Sequence, residues 1–327
     1  MASSVPATFK QFQYTKFGAV DTEWKIVEVP QKALKPNHVR IKVINAALNP
    51  VDYKLAEYGA YWFGRTPTEE VPFIVGFDAA GTVVEVGSEV TDFKVGDDVF
   101  TRTPTDDFGA VAEYISVEAQ YVAPKPKNQD FKDAAGVPLA GLTSYQALFT
   151  HGSLKAGERV LILGGSSATG TLAVQLAKGA GAHVIATTSH RNVDLVKSLG
   201  ADQIIDYTTQ KWAEVLDEHS IDLIYDCGFE PQAWNDAAQK ILKKDTGRFV
   251  TLAQIENKIE SPIGAKDFYF FCLSSGKDLR EITKFIEKDQ VKTIVDTVYP
   301  FESTIEAINK VKGGRVVGKV IISVAQE

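Results

Sequence analysis

Cysteine is nearly absent from this 327-residue chain: Cys227 and Cys272 are the only two, both inside apolar runs. A disulfide-stapled scaffold is excluded, and two reduced core thiols fit the cytoplasmic setting expected here. Histidine is scarce as well. His38, His151, His183, His190 and His219 show no ligand spacing, so surface or loop positions are expected for each. No apolar run approaches the length that spans a bilayer, and residues 1–6 lack the charged start and apolar stretch of a signal peptide. Positive charge is short too, with 35 Lys and Arg against 42 Asp and Glu. The net charge of −7 favours solubility and disfavours nonspecific binding to nucleic acid. Internal repeats and low-complexity segments are missing.

What is present centres on Val160-Leu-Ile-Leu-Gly-Gly-Ser-Ser-Ala-Thr-Gly170, which runs on into Thr171-Leu-Ala-Val-Gln-Leu-Ala-Lys178. Four apolar residues, a small-residue turn and an amphipathic stretch predict a buried strand, a tight loop and a helix N-terminus. Unpaired N–H groups and the positive end of the helix dipole suit a pyrophosphate there. The spacing departs from G-x-G-x-x-G, because Ser167 and Ala168 stand where more glycine is expected. An ordinary tight βα turn therefore stays open for this segment taken alone. Further strand-like runs follow at 181–191, 203–207, 221–227 and 247–253, alternating with helix-like stretches at 193–199 and 234–242. This alternation predicts an α/β fold with a Rossmann-type, doubly wound parallel sheet, which binds ligands beyond the carboxyl ends of its strands.

The first 125 residues differ. Short β-type runs at 9–14, 24–29, 38–44 and 80–87 are punctuated by Gly and Pro with few helices between, as in a partly open β-barrel. Another strand is expected at 315–323, so the β domain is read as discontinuous, covering 1–126 and 274–327, with the nucleotide domain at 127–273 inserted into it. Domain interfaces are preferred places for small-molecule sites.

Five ordered segments carry a resemblance. Gly76-Phe-Asp-Ala-Ala-Gly-Thr-Val-Val-Glu-Val-Gly87 with Phe93-Lys-Val-Gly-Asp-Asp-Val99, then Gly109-Ala-Val-Ala-Glu-Tyr114, Gly141-Leu-Thr-Ser-Tyr-Gln-Ala147, the loop 164–170, and the segment 313–319 all match in order. Together they resemble the medium-chain dehydrogenase/reductase superfamily over essentially the full length, which implies a GroES-like barrel around the Rossmann domain. Zinc-dependent alcohol dehydrogenases of that superfamily carry Cys where this chain has Asn49 and His where it has Phe77, and often a four-cysteine lobe. A catalytic zinc needs about three protein ligands, and Asp78 alone cannot supply them; no metal is expected. In place of the zinc motif stands Asn49-Pro-Val-Asp-Tyr-Lys54, which resembles the Asn-Pro-x-Asp-x-Lys element of the zinc-free quinone oxidoreductases and enone reductases.

In that group the asparagine sits beside the nicotinamide and the reacting carbonyl, so Asn49 is read as catalytic. Asp52 is read as a helix cap. Tyr53 and Lys54 are catalytic candidates whose structural reading stays open. Tyr58, Tyr61, Trp62 and Phe63 form either an aromatic flap over a flat acceptor or a packed loop. The loop residues Gly164, Gly165, Ser166, Ser167, Ala168, Thr169 and Gly170 are the expected pyrophosphate cradle. The resemblance adds Thr143, Tyr207, Leu252, Ala253, Phe270, Phe271 and Lys319 as cofactor contacts, although Phe270 and Phe271 also suit an edge strand.

An NAD site places a carboxylate about 20 residues beyond the loop. Here Ser189, His190 and Arg191 occupy that region, and no carboxylate follows before Asp194. Hydroxyls and a guanidinium suit a 2′-phosphate, so NADPH is the expected cofactor; a solvated surface charge is the alternative for Arg191. Without a metal or a Ser/His/Asp arrangement, the chemistry expected is hydride transfer to a quinone or an α,β-unsaturated carbonyl, which delocalises incoming charge. A homodimer joined through the apolar run 267–273 is also expected. Rival readings are a noncatalytic NADPH-binding protein (crystallin-like or RNA-binding), an NAD-dependent alcohol or sugar dehydrogenase, and an enoyl reductase module. The acidic balance, the missing ligands and the lack of linkers at the chain's ends speak against them in turn.

Overall fold

A computed structural model describes residues 5–20, 24–59 and 65–325. The chain divides into two compact units. The first comprises Met1–Leu139, Leu273–Thr283 and Thr293–Glu327, and the second Ala140–Cys272 with Lys284–Lys292.

The first unit is built on β1 (Thr8–Tyr14), β2 (Lys25–Pro30), β3 (His38–Leu48), β4 (Phe73–Ile74), β5 (Asp78–Val86), β6 (Asp98–Arg102), β7 (Tyr114–Glu118) and β8 (Val122–Pro124). The second unit contributes β9 (Arg159–Leu163), β10 (His183–Thr188), β11 (Gln203–Asp206), β12 (Leu223–Asp226), β13 (Arg248–Thr251) and β14 (Lys266–Tyr269). The chain then returns to the first unit as β15 (Val295–Pro300) and β16 (Lys319–Ser323).

In the first unit a small antiparallel sheet runs β2-β1-β4, and a larger one runs β15-β16-β3-β5-β6-β8 with β7 also paired to β3. The 11-residue β3 is the spine. It is buried at all but one position and pairs with β16, β5 and β7. Around it packs a core in which Tyr14 stacks on Trp24 at 4.6 Å and Phe77 on Phe108 at 4.9 Å. The last strand begins at Lys319 instead of 315. Gly318 takes φ +80, and a Cβ there would lie 2.1 Å from the Ile294 carbonyl oxygen, so the extended run cannot start earlier.

The first unit also reaches past residue 126. Asp78 accepts the Leu139 N–H at 2.8 Å, and Thr293 Oγ1 donates to the Asp133 carbonyl at 2.7 Å. Conversely, Gln175 exchanges two hydrogen bonds with the Lys292 backbone, which ties 284–292 to the second unit.

The second unit is a six-stranded, all-parallel sheet in the order β11-β10-β9-β12-β13-β14. Strand order reverses between β9 and β12, so the loop after β9 sits at the topological switch point. Leu161, Leu163, Ile185, Ile224 and Phe249 fill the sheet's core, with Trp234 packed on Phe249. The central strands β9 and β12 are buried on both faces and read as apolar runs.

Candidate active site

Where β3 ends, Asn49 turns the chain into the helix Pro50–Tyr58, with proline at the position where its missing N–H costs nothing. Asp52 closes the helix start: its Oδ2 accepts the Asn49 backbone N–H at 2.7 Å. The Asn49 side chain points elsewhere. Its Nδ2 donates to Asp78 Oδ2 at 3.0 Å, while Lys319 Nζ donates to Asn49 Oδ1 at 2.5 Å and to Asp78 Oδ2 at 3.0 Å. The other Asp78 oxygen is the one held by the Leu139 N–H. Three adjacent strands make this possible: Ala47 pairs with Asp78, and Leu48 with Val320. Asn49, Asp78 and Lys319 are 2%, 0% and 2% exposed, so their charges meet with little screening by water.

Asp52 is also buried, and its Oδ1 has no hydrogen-bond partner. Burial pushes its carboxyl up to about 7; the Asn49 N–H pulls down, Asp78 pushes further up, and Lys319 and Arg102 pull down. The Arg102 guanidinium lies 5.1 Å over the Phe77 ring. Tyr53 is half-buried against the apolar core; burial and then the Glu57 carboxylate raise its phenol. Lys54 is half-buried on the same helix, and Tyr58 is exposed. Tyr61, Trp62 and Phe63 lie outside the described residues.

In the second unit, parallel pairing puts the residues after each strand at one end of the sheet. After β9, Gly164 takes φ +83, and a Cβ on Gly170 would lie 2.1 Å from the Gly164 carbonyl oxygen. Helix and loop therefore touch through bare backbone. Ser167 caps the helix Ala168–Gly179, its Oγ accepting the Gly170 N–H at 2.9 Å. Gly164 and Gly165 give their N–H groups to Thr187, to its Oγ1 at 3.0 Å and its carbonyl at 2.8 Å. Ser166 Oγ accepts from Thr188 Oγ1 and Asn192 Nδ2. Ala168 and Thr169 open the helix, where N–H groups lack intrahelical partners.

After β10, Ser189 is half-buried while His190 and Arg191 are exposed. Tyr207, after β11, is exposed, and its N–H donates to the Thr188 carbonyl at 3.1 Å. Leu252 and Ala253 follow β13, half-buried. Phe270 follows β14, buried 4.5 Å from the His151 ring, whereas Phe271 is exposed. Thr143 is buried on the helix Pro138–Tyr145. Lys319 belongs to the first unit and spends its ammonium on Asn49 and Asp78.

Two residues are not legible as site residues in the sequence. Asp78 reads there only as a lone metal ligand, although an acid inside Gly76-Phe-Asp-Ala-Ala80 signals a buried partner. Asp206 ends β11 opposite Thr188; its Oδ1 accepts from the Thr208 N–H and hydroxyl, and its Oδ2 lies 3.6 Å from His190 Nδ1. The Thr208 hydroxyl chiefly holds its carboxyl low. A strand-end acid thus exists, on the neighbouring strand.

The alcohol dehydrogenase GroES-like domain family matches residues 35–127, and the zinc-binding dehydrogenase family matches 199–322. The 2-methylene-furan-3-one reductase of Solanum lycopersicum is 36% identical over 330 residues, 98% of this chain and 80% of the relative. This chain belongs to the medium-chain dehydrogenase/reductase superfamily, in its quinone and enone oxidoreductase group. The chloroplastic NADPH-dependent alkenal/one oxidoreductase of Arabidopsis thaliana is likewise 36% identical, over 98% of this chain and 81% of the relative. The quinone oxidoreductase from Coxiella burnetii superposes with a TM-score of 0.82 at 27% identity, covering 97% of this chain and all of that one. As a superfamily member the chain is a nicotinamide-dependent oxidoreductase acting on a small molecule. Among the described residues no helix is long and apolar enough to cross a membrane.

Proposed function

We propose that this oxidoreductase reduces quinones or α,β-unsaturated carbonyls with NADPH, without a metal. One observation carries the reading: the buried Asn49 amide is held between an ammonium and a carboxylate, at the position where the resemblance sets a zinc-ligating Cys. Those residues do not fit a zinc ion. The Asn49 oxygen already accepts from a cation, Phe77 is stacked on Phe108, and among the described residues no three His, Cys, Asp or Glu side chains gather as ligands.

The second unit suits a dinucleotide, because the loop after β9 lies at the topological switch point and the first N–H groups of the helix Ala168–Gly179 lack intrahelical partners, a setting that favours a pyrophosphate. Ser189, His190 and Arg191 supply the donors for a 2′-phosphate, while the nearby Asp206 carboxylate has its Oδ1 occupied by the Thr208 N–H and hydroxyl. The relative named for NADPH supports the same choice. When bound, NADPH supplies the hydride. Asn49 donates an N–H to the substrate oxygen as negative charge develops there, with Lys54 or Tyr53 as a second donor. Conjugation spreads that charge, so a hydrogen bond serves where an isolated ketone asks for a Lewis acid. Tyr58, exposed at the end of its helix, is an aromatic face for a flat apolar acceptor. The enzyme works in the cytoplasm as a homodimer joined through β14.

Steady-state NADPH oxidation tests this against a panel of quinones, alkenals and cyclic enones, before and after exhaustive chelation. The expected result is turnover with conjugated acceptors that survives chelation. Stoichiometric zinc in active protein, or turnover of simple alcohols with NAD, overturns it.

A further inference from the structure

We propose that Lys319 and Asp78 are positioning residues that lock the Asn49 side-chain amide in one of its two flip states. The proposal rests on the reading of Asn49 as the donor to the substrate oxygen. A primary amide is nearly symmetric in shape, so which end presents N–H and which presents oxygen is decided by its partners. An ammonium only donates, and an ionised carboxylate only accepts. Lys319 Nζ therefore selects Oδ1, at 2.5 Å, and Asp78 Oδ2 selects Nδ2, at 3.0 Å. The flipped amide would set its oxygen against a carboxylate and its N–H against an ammonium, two repulsions at a site where all three side chains are at most 2% exposed.

The lock is itself fixed. Asp78 is pinned through its other oxygen by the Leu139 N–H, and the Lys319 backbone N–H donates to the Ile294 carbonyl at 2.8 Å. Two consequences follow for the amide. One of its two N–H protons is spent on Asp78, which leaves a single proton of defined direction for an oxyanion. The ammonium also draws electron density through the amide oxygen, which strengthens that remaining N–H as a donor. Lys319 acts through Asn49, at a distance from the reacting atoms.

A buried ion pair that merely holds β5 to β16 would give the same contacts, and a double-mutant cycle separates the two roles. Lys319→Met and Asn49→Ala are made singly and together, and kcat and KM are measured with one enone on protein whose melting shows it folded. Lys319→Met is expected to lower kcat about ten- to a hundred-fold with KM for NADPH unchanged, with partial rescue by Lys319→Arg. The double variant is expected to be no slower than Asn49→Ala. Wild-type kcat in Lys319→Met, or losses that multiply in the double variant, overturns the lock. Should Lys319→Met fail to fold around its unpaired carboxylate, the charge-balanced pair Asp78→Asn with Lys319→Met takes its place in the cycle. A second readout needs no turnover: in protein labelled with ¹⁵N-asparagine, the Asn49 amide resonance, assigned by its loss in Asn49→Ala, must move in the lysine variant. An unmoved resonance overturns the lock. Wild-type kcat in Asn49→Ala overturns the catalytic reading instead, and the resonance still reports on the lock.

Discussion

Asp78 and Lys319 meet at 3.0 Å across 241 positions of chain, and neither shows more than 2% of its surface to water. Burying both charges costs desolvation that the pair's attraction offsets only when further hydrogen bonds complete the geometry. Here Asn49 and the Leu139 N–H complete it. Such a pair is weak evidence for stability, and apolar residues of the same volume would serve a mere core as well. Its distinctive product is orientation, because a donor-only ammonium and an acceptor-only carboxylate select opposite ends of an amide. The three residues meet where β3 ends and where its antiparallel neighbours β5 and β16 begin.

Asp52 makes the fold pH-sensitive. Its carboxyl is raised from 3.8 to about 7, chiefly by burial. The folded protein therefore keeps a proton that the unfolded chain releases above about pH 4. The stabilisation is complete below the unfolded pKa, declines as pH rises through the window from about 4 to about 7, and is gone above it. Asp52→Asn keeps an acceptor for the Asn49 N–H and removes the titration. The variant is expected to gain more stability at pH 8 than at pH 5, by about 3 kcal/mol. Urea unfolding at the two pH values checks this, and equal gains would show that Asp52 does not titrate in that window.

The parallel sheet was legible because its signals are local. Each strand is an apolar run and each turn a small-residue cluster, so the loop after Leu163 could be placed from eleven consecutive residues. The start of β16 was not, since Gly318 meets the Ile294 carbonyl only once β15 is folded beside it. Asn49 could be picked from its motif, but not its partners. Periodicity says which face of a strand is buried, while the meeting of residues 49, 78 and 319 depends on which strands become neighbours. Asp206 was hidden for a related reason, as it reaches the end of β10 from β11.

Arg191 tests the proposed preference for NADPH. It is exposed after β10, where a 2′-phosphate would lie. A hydrogen bond between charged groups contributes about 1.5–3 kcal/mol, so Arg191→Ala is expected to weaken NADPH binding roughly ten- to a hundred-fold. NADH affinity should barely change. Calorimetry with both cofactors decides it, and equal losses would assign Arg191 no role in discrimination.

The proposed homodimer is joined at β14, an edge strand of the six-stranded sheet with Tyr269 exposed. Unpaired backbone at such an edge invites a second copy, and a lysine there deters one. Light scattering at micromolar concentration is expected to give a dimer mass for the native protein and a monomer mass for Tyr269→Lys. A native monomer would remove the edge-to-edge arrangement.

In the proposed mechanism Asn49 is the donor to the substrate oxygen, so its loss should show in kcat. Removing one preorganised donor to a developing oxyanion typically costs about 2.7–4 kcal/mol, a factor of about 100 to 1,000 in rate. Asn49→Ala is therefore expected to turn over an alkenal about that much more slowly while binding NADPH normally. A quinone should lose less, because its ring already spreads the incoming charge. Lys54→Ala tests the competing idea that a cation is the main electrophile, and predicts the larger loss for itself if that idea holds. The alanine at 49 also leaves Asp78 and Lys319 without their shared amide, so its melting temperature should fall. Normalising kcat to folded, cofactor-binding protein separates the two effects. A residue that only supports the fold would leave the normalised rate unchanged, whereas a donor lowers it in every folded molecule. Unchanged normalised kcat in both variants would leave hydride positioning alone as the source of catalysis.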